Sequence, residues 1–82
     1  MNSPGVPSFR ALDVRPILAR GDEPFQEIMR TVDALAPGEG LVLTSPFLPS
    51  PLIERLHAMG FRARPERRAD GAWQTFFSRD RA

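Results

Sequence analysis

The stretch from Asp22 to Thr44 constrains the fold of this chain more than any other. Within it apolar residues fall at Phe25, Ile28, Met29, Val32 and Leu35, a spacing of 3, 1, 3 and 3 that fits a helical period and not the alternation of a strand. Gln26, Glu27, Arg30 and Asp33 take the opposite face. Asp22 is placed to cap the first turn, Pro24 tolerates the missing N–H there, and Glu23 and Glu27 sit where the positive end of the helix dipole favours acids. Pro37 and Gly38 end the helix, and Leu41 to Thr44 starts a strand.

Around this unit the remaining elements follow in order. Met1 to Ser8 holds Pro4, Gly5 and Pro7 without periodicity and reads as a flexible tail, leaving 9–80 as a single domain. From Phe9 the pattern alternates, with Leu12 and Val14 on one side and Asp13 and Arg15 on the other, which predicts a half-buried strand ending at Pro16. Ile17 to Gly21 reads as a loop whose Ile17 and Leu18 tuck under the first helix. After the second strand, Pro46, Pro49 and Pro51 forbid a ladder and stiffen a loop. A second helix then begins, with Ser50 as its cap, Pro51 in its first position, Leu52, Ile53, Leu56 and Met59 as its apolar stripe and Gly60 as its stop. Phe61 to Arg68 and Ala72 to Ser78 make two strands joined at Gly71. The order βαβαββ and a right-handed crossover predict an α+β two-layer sandwich, with two helices on one face of a four-stranded mixed sheet. The other face is left open.

Composition excludes several chemistries. At 82 residues there is room for one core, since a domain of this size buries only roughly 60% of its unfolded surface. No cysteine is present, so no thiolate nucleophile, persulfide, disulfide or thiolate metal site can form. Apolar runs fall well short of a membrane span, and Met1 to Ser8 lacks the charged start and apolar middle of a signal peptide, which together place the chain in the cytoplasm and away from the membrane. A net charge of +1 gives no global field to steer nucleic acid or anionic lipid. All eleven basic residues are arginine, a bias that arginine-rich codon usage explains better than selection for bidentate recognition of phosphate or carboxylate does.

Leu12-Asp-Val-Arg15, the Glu23-Pro24 helix start, the Ala34 to Glu39 stretch ALAPGE and the Pro46 to Leu52 stretch PF-x-P-x-PL resemble the TusA/SirA-like superfamily. Within it, they resemble the branch catalogued as domain of unknown function 2249, over about Leu12 to Phe77. In the sulfur-carrier members of that superfamily a Cys-Pro pair opens the first helix, where the dipole holds a thiolate or persulfide. Here the region reads Ala19-Arg20-Gly21-Asp22, so the resemblance does not imply sulfur transfer. The equivalent stretch, Arg20, Gly21, Asp22, Glu23 and Pro24, is kept as a candidate site, although its two acids oppose an anion. A small redox ligand held there by an enzyme accessory is the weakest of the readings.

No catalytic constellation, cofactor motif or metal set emerges. His57 is the only histidine, with Glu54 three residues before it and Ile53 four, and a lone imidazole neither holds a metal nor works as a base without a partner. Ser45 and Ser50 lie in no nucleophile elbow, and Gly38-Glu39-Gly40 is turn chemistry. Arg62, Arg64, Arg67 and Arg68 crowd the third strand, and Arg62 and Arg64 share a face that would lie beside Phe76. Such a stripe suits single-stranded RNA, but also a charged edge strand guarded against aggregation. Glu66 and Asp70 interrupt it, which argues against nucleic acid. Phe47 and Leu48 in the proline loop either form a docking edge or, for Phe47, the slightly favoured placement, cap the core between the second helix and the sheet.

The sequence therefore reads first as a non-catalytic binding or adaptor domain that touches a protein partner, a second copy in a weak homodimer, or a small ligand. The alternative is a single-stranded RNA binder using the arginine-rich third strand and the open face. The candidate contact residues are Phe47, Leu48, Phe76, Arg62 and Arg64, with Phe76 and one of Val42 or Leu43 on the uncovered side.

Overall fold

A computed structural model describes residues Ser8 to Arg79. Met1 to Pro7, most of the expected tail, lie outside the described residues. Ser8 does not belong to the tail, because it opens the first strand and pairs with Glu39. In chain order the elements are β1 (Ser8–Asp13), α1 (Arg15–Ala19), α2 (Phe25–Asp33), β2 (Glu39–Ser45), α3 (Ser50–Ala58), β3 (Phe61–Arg67) and β4 (Trp73–Arg79). The sheet order is β1-β2-β4-β3, with β1 and β2 parallel and β4 antiparallel to both of its neighbours. This is the expected α+β arrangement with one helix added. No helix among the described residues is long and apolar enough to cross a membrane.

The extra helix α1 occupies the stretch expected to be a loop. Pro16 does not merely stop β1: it sits in the first turn of α1, where its fixed φ suits a helix and its missing N–H costs nothing. Asp13 accepts the Arg15 N–H at 3.0 Å, and Val14 donates to the Thr44 carbonyl at 3.0 Å. Ile17 and Leu18 are half-buried against the core, as their apolar character requires. At the other end of the chain the hairpin turns at Gly71, whose φ of +90° suits glycine alone among common residues.

One core joins both layers. Ile28 and Val32 from α2, Leu52 and Leu56 from α3, Leu41 and Leu43 from β2, Phe61 from β3, Phe77 from β4 and Val14 are buried together. Leu41, Leu56 and Phe77 are fully excluded from solvent. Alternation along the strands sends the other set to the uncovered face: Phe9, Ala11 and Asp13 from β1, Gly40, Val42 and Thr44 from β2, Arg62, Arg64 and Glu66 from β3, and Gln74, Phe76 and Ser78 from β4. Register thus assigns Val42, not Leu43, to the open side.

Thr75 sits on the core side of β4, fully buried, and its Oγ1 has no hydrogen-bond partner among the described residues. An orphaned buried hydroxyl costs about 1–3 kcal/mol. Valine has the same shape and a β-branched preference for strands. Thr75→Val is therefore expected to raise stability by about 1 kcal/mol in urea unfolding; a loss of stability would show that the hydroxyl is bonded in solution.

Candidate functional site

The expected contact residues fall on two separate surfaces. The first is the end of the domain where β1 and β2 finish and α2 and α3 begin. There the loop 46–49 is braced from inside: Ser45, buried at 1% exposure, donates its hydroxyl to the Phe47 carbonyl at 2.7 Å, and the Ser50 N–H donates to the Leu48 carbonyl at 2.9 Å. Pro49 is buried, and its carbonyl accepts the Ile53 N–H at 2.9 Å. Ser50 is the first residue of α3 and makes no side-chain cap, so the cap expected of it is absent. The proline scaffold turns Phe47 and Leu48 outward, leaving them 54% and 40% exposed. Phe47 does not cap the core; the buried residue of the loop is Pro49.

The start of α2 lies at the same end. Asp22 does not cap the helix, since its carboxylate accepts from Arg20 Nε at 3.1 Å. The N-cap is Pro24, which makes no side-chain cap; the Glu23 carboxylate, one residue earlier, accepts the Phe25 N–H at 2.9 Å, and the helix begins at Phe25 rather than at Asp22. The carboxylate occupies the helix end that an anion or a redox ligand would need. Phe25 opens the apolar stripe but overhangs the core, at 37% exposure, with the Arg55 guanidinium 5.2 Å from its ring centre. Phe25, Pro51, Leu52, Glu54 and Arg55 line a wide cleft of about 450 Å³. Three of the four large apolar side chains that are exposed among the described residues, Phe25, Phe47 and Leu48, are therefore gathered at one end, and only Met59 lies elsewhere.

A chain of charges crosses this end of the sheet. Arg15 pairs with Asp13 at 2.7 Å and with Asp70 at 3.8 Å, and Arg68 reaches Asp70 at 3.6 Å. The Arg15 hydrogen bonds hold the Asp13 carboxyl below its ordinary range. The Ala72 backbone N–H, with Arg68 and Arg15 beside it, does the same for Asp70. All four side chains are at least 40% exposed, so this chain fixes the hairpin tip more than it stabilises the domain.

The second surface is the open sheet face, near the start of β1 and β2. No helix covers Phe76, yet it is not bare. The Phe9 ring meets it edge-on with centres 5.3 Å apart, and the Arg64 guanidinium lies 4.7 Å from its centre. Glu66 pairs with Arg64 on the same strand. Gly40 leaves the space across which Phe9 reaches Phe76, since a Cβ there would lie 2.7 Å from the Phe9 ring. Phe9, Arg62, Ala63, Arg64, Phe76 and Ser78 line a cleft of about 490 Å³. The structure brings Arg62, Arg64 and Phe76 together as expected and adds Phe9, which alternation along β1 could have flagged. Arg67 falls on the other side of β3, and Arg68 lies at the hairpin beside Asp70. His57 is exposed on α3, and no group of three His, Asp or Glu residues that could hold a metal occurs among the described residues.

The sequence model of the family described as "Uncharacterized conserved protein (DUF2249)" matches residues 11–79. No curated protein and no solved structure matches the chain.

Proposed function

From the premise that this chain belongs to the DUF2249 family, we propose that it is a binding domain without chemistry of its own, which receives a protein partner on its apolar end. The exposure of Phe47 and Leu48 on a braced loop carries this reading. A loop already held by Ser45 and Pro49 loses little entropy on docking, and an exposed phenylalanine is the kind of anchor around which interfaces are built. Phe25 extends the apolar surface, and Glu54 and Arg55 supply a polar rim. The TusA/SirA-like resemblance supports a small domain that works by contact. Without a cysteine such a domain hands on no sulfur, and it acts as an adaptor in the cytoplasm.

The reading as a single-stranded RNA binder draws less support. Of the four arginines around β3, only Arg62 and Arg64 face the open side, and Glu66 and Asp13 share that side with them. A track for a strand would need more positive charge along its path.

A photoreactive residue in place of Phe47 tests the proposal in cells. It should yield one dominant adduct that is absent when the same residue replaces Ala58, and that is lost on Leu48→Asp. An adduct of twice the chain mass would identify a second copy as the partner. Equal labelling from both positions, with the fold intact by circular dichroism, would remove this end as the contact surface.

A further inference from the structure

We propose that the free edge of β1 pairs antiparallel with β1 of a second copy, about a two-fold axis at Ala11, so that the two sheets join into one. β1 ends the sheet, and no strand lies beyond it among the described residues. The Val14 N–H goes to the Thr44 carbonyl, and Leu12 stands opposite Leu43. Alternation along the ladder therefore turns the backbone groups of Arg10, Leu12 and Val14 toward β2. Those of Phe9, Ala11 and Asp13 point outward, as a row of donors and acceptors with no strand to meet them. The usual guards of an edge are missing from β1. It contains no proline, and its charged side chains are already engaged, Arg10 with Glu39 and Asp13 with Arg15. The exposed Ala11 at its centre carries only a methyl group, and the Phe9 ring leans inward over Gly40 to Phe76. The opposite edge differs, because β3 holds Pro65 at its middle, which cannot donate, and Arg62, Arg64 and Arg67 along its length. A contact of β1 with β3 of the next copy, which would repeat without closing, is interrupted there, whereas β1 against β1 closes as a dimer.

Backbone pairing selects the register and, with it, the occupant. Keeping both helical layers on one side requires the outward residues to face one another. With the axis at Ala11, Phe9 faces Asp13 of the second copy, Ala11 faces its own counterpart, and every outward residue exchanges both of its bonds. An axis at Arg10 sets two guanidiniums opposite each other and needs Asp13 to bond residue 7, a proline without an N–H. An axis at Leu12 needs Phe9 to bond Arg15, which already belongs to α1. Only the central register uses the whole strand. A strand that matches its own reversed copy in this way fits a second chain of the same sequence. The seam is roughly 20 Å long and falls below the about 1,200 Å² of standard interfaces, so the association is weak. It rests on the backbone of β1 and not on the apolar end proposed above for a protein partner.

The test is sedimentation of the full chain from about 10 μM to about 2 mM, joined to single-cysteine variants, which the absence of native cysteine makes clean. The average mass should rise toward twice the chain mass, with half-dimerisation between about 0.1 and about 1 mM. Ala11→Lys sets two ammonium groups opposite each other on the axis and should weaken dimerisation at least about tenfold, while Ala58→Lys on α3 should leave it unchanged. In this register the two Ala11 Cα atoms lie about 5.5 Å apart, within disulfide reach, so Ala11→Cys should oxidise to a covalent dimer at least about tenfold faster than Ala58→Cys. A chain that stays monomeric at about 2 mM would overturn the proposal, and so would equal disulfide rates from the two positions. Dimerisation unchanged by Ala11→Lys would overturn it as well. Its loss on Leu48→Asp or on Phe76→Ser would then place the contact on the apolar end or on the open sheet face instead.

Discussion

Phe77→Ala is expected to lower the stability of this domain by about 3–5 kcal/mol, as large aromatic truncations in a closed core do. Phe77 is fully buried on a central strand, paired across to Leu41 and Ala63, and it shares the core with residues of α2 and α3. A domain of this length has roughly 4–12 kcal/mol of stability in total, so the loss brings it close to unfolding at room temperature. The residue before it gives the contrast. Phe76 has no helix above it, and its cover consists of one ring edge and one guanidinium, interactions worth about 0.5–1.5 kcal/mol each. Phe76→Ser should therefore cost about 1–2 kcal/mol and leave a cooperative urea transition. If the two variants shift the midpoint equally, the sheet has been read with the wrong face inward. Self-association that persists in the Phe76→Ser variant would likewise exclude this face as a homodimer contact.

That contrast was legible before any coordinates, because parity puts Phe76 and Phe77 on opposite sides and the family resemblance implies that Trp73, Thr75 and Phe77 face the core. Once Trp73, Thr75 and Phe77 share a side, Phe76 has to take the other, and a strand that begins at Leu41 needs only its register to choose between Val42 and Leu43. Periodicity likewise located both long helices, and Gly71 located the hairpin. Features set by competition between neighbours were not legible. Asp22 is a good cap by residue type, but Arg20 engages its carboxylate, and the first helical N–H goes to Glu23. Pro16 reads equally as the end of a strand or the start of a helix, and the Asp13 carboxylate on the Arg15 N–H favours the helix. Phe47 is the larger apolar residue of its loop, yet the loop buries Pro49 and leaves the ring exposed. The meeting of Phe9 with Phe76 depends on strand order, because β1 and β4 are separated by β2 and touch only across a residue without a side chain. No local pattern encodes that.

The same residue without a side chain gives the second large expectation. In an ordinary strand position, replacing glycine by alanine stabilises by about 0.5–1 kcal/mol, since glycine loses more freedom on folding. Gly40→Ala is expected to do the reverse. A Cβ at this position meets the Phe77 carbonyl oxygen and lies 2.7 and 2.8 Å from the Phe9 ring carbons Cε1 and Cδ1. The ring can swing away, because β1 is an edge strand with solvent beside it. The carbonyl cannot, because β4 is held on both sides, by β2 and by β3. Overpacking of this kind costs about 1–3 kcal/mol, and a clash against fixed backbone belongs at the upper end, so Gly40→Ala should lower Tm by roughly 10–20 °C. The double variant Phe9→Ala with Gly40→Ala separates the two obstacles. Measured against Phe9→Ala alone, the added alanine should still be destabilising, by the part that belongs to the Phe77 carbonyl. If it becomes neutral in that background, the ring was the whole obstacle and β2 and β4 lie further apart than the structure has them. If Gly40→Ala is stabilising by itself, Phe9 does not lie across β2, and the aromatic wall of the open-face cleft falls with it.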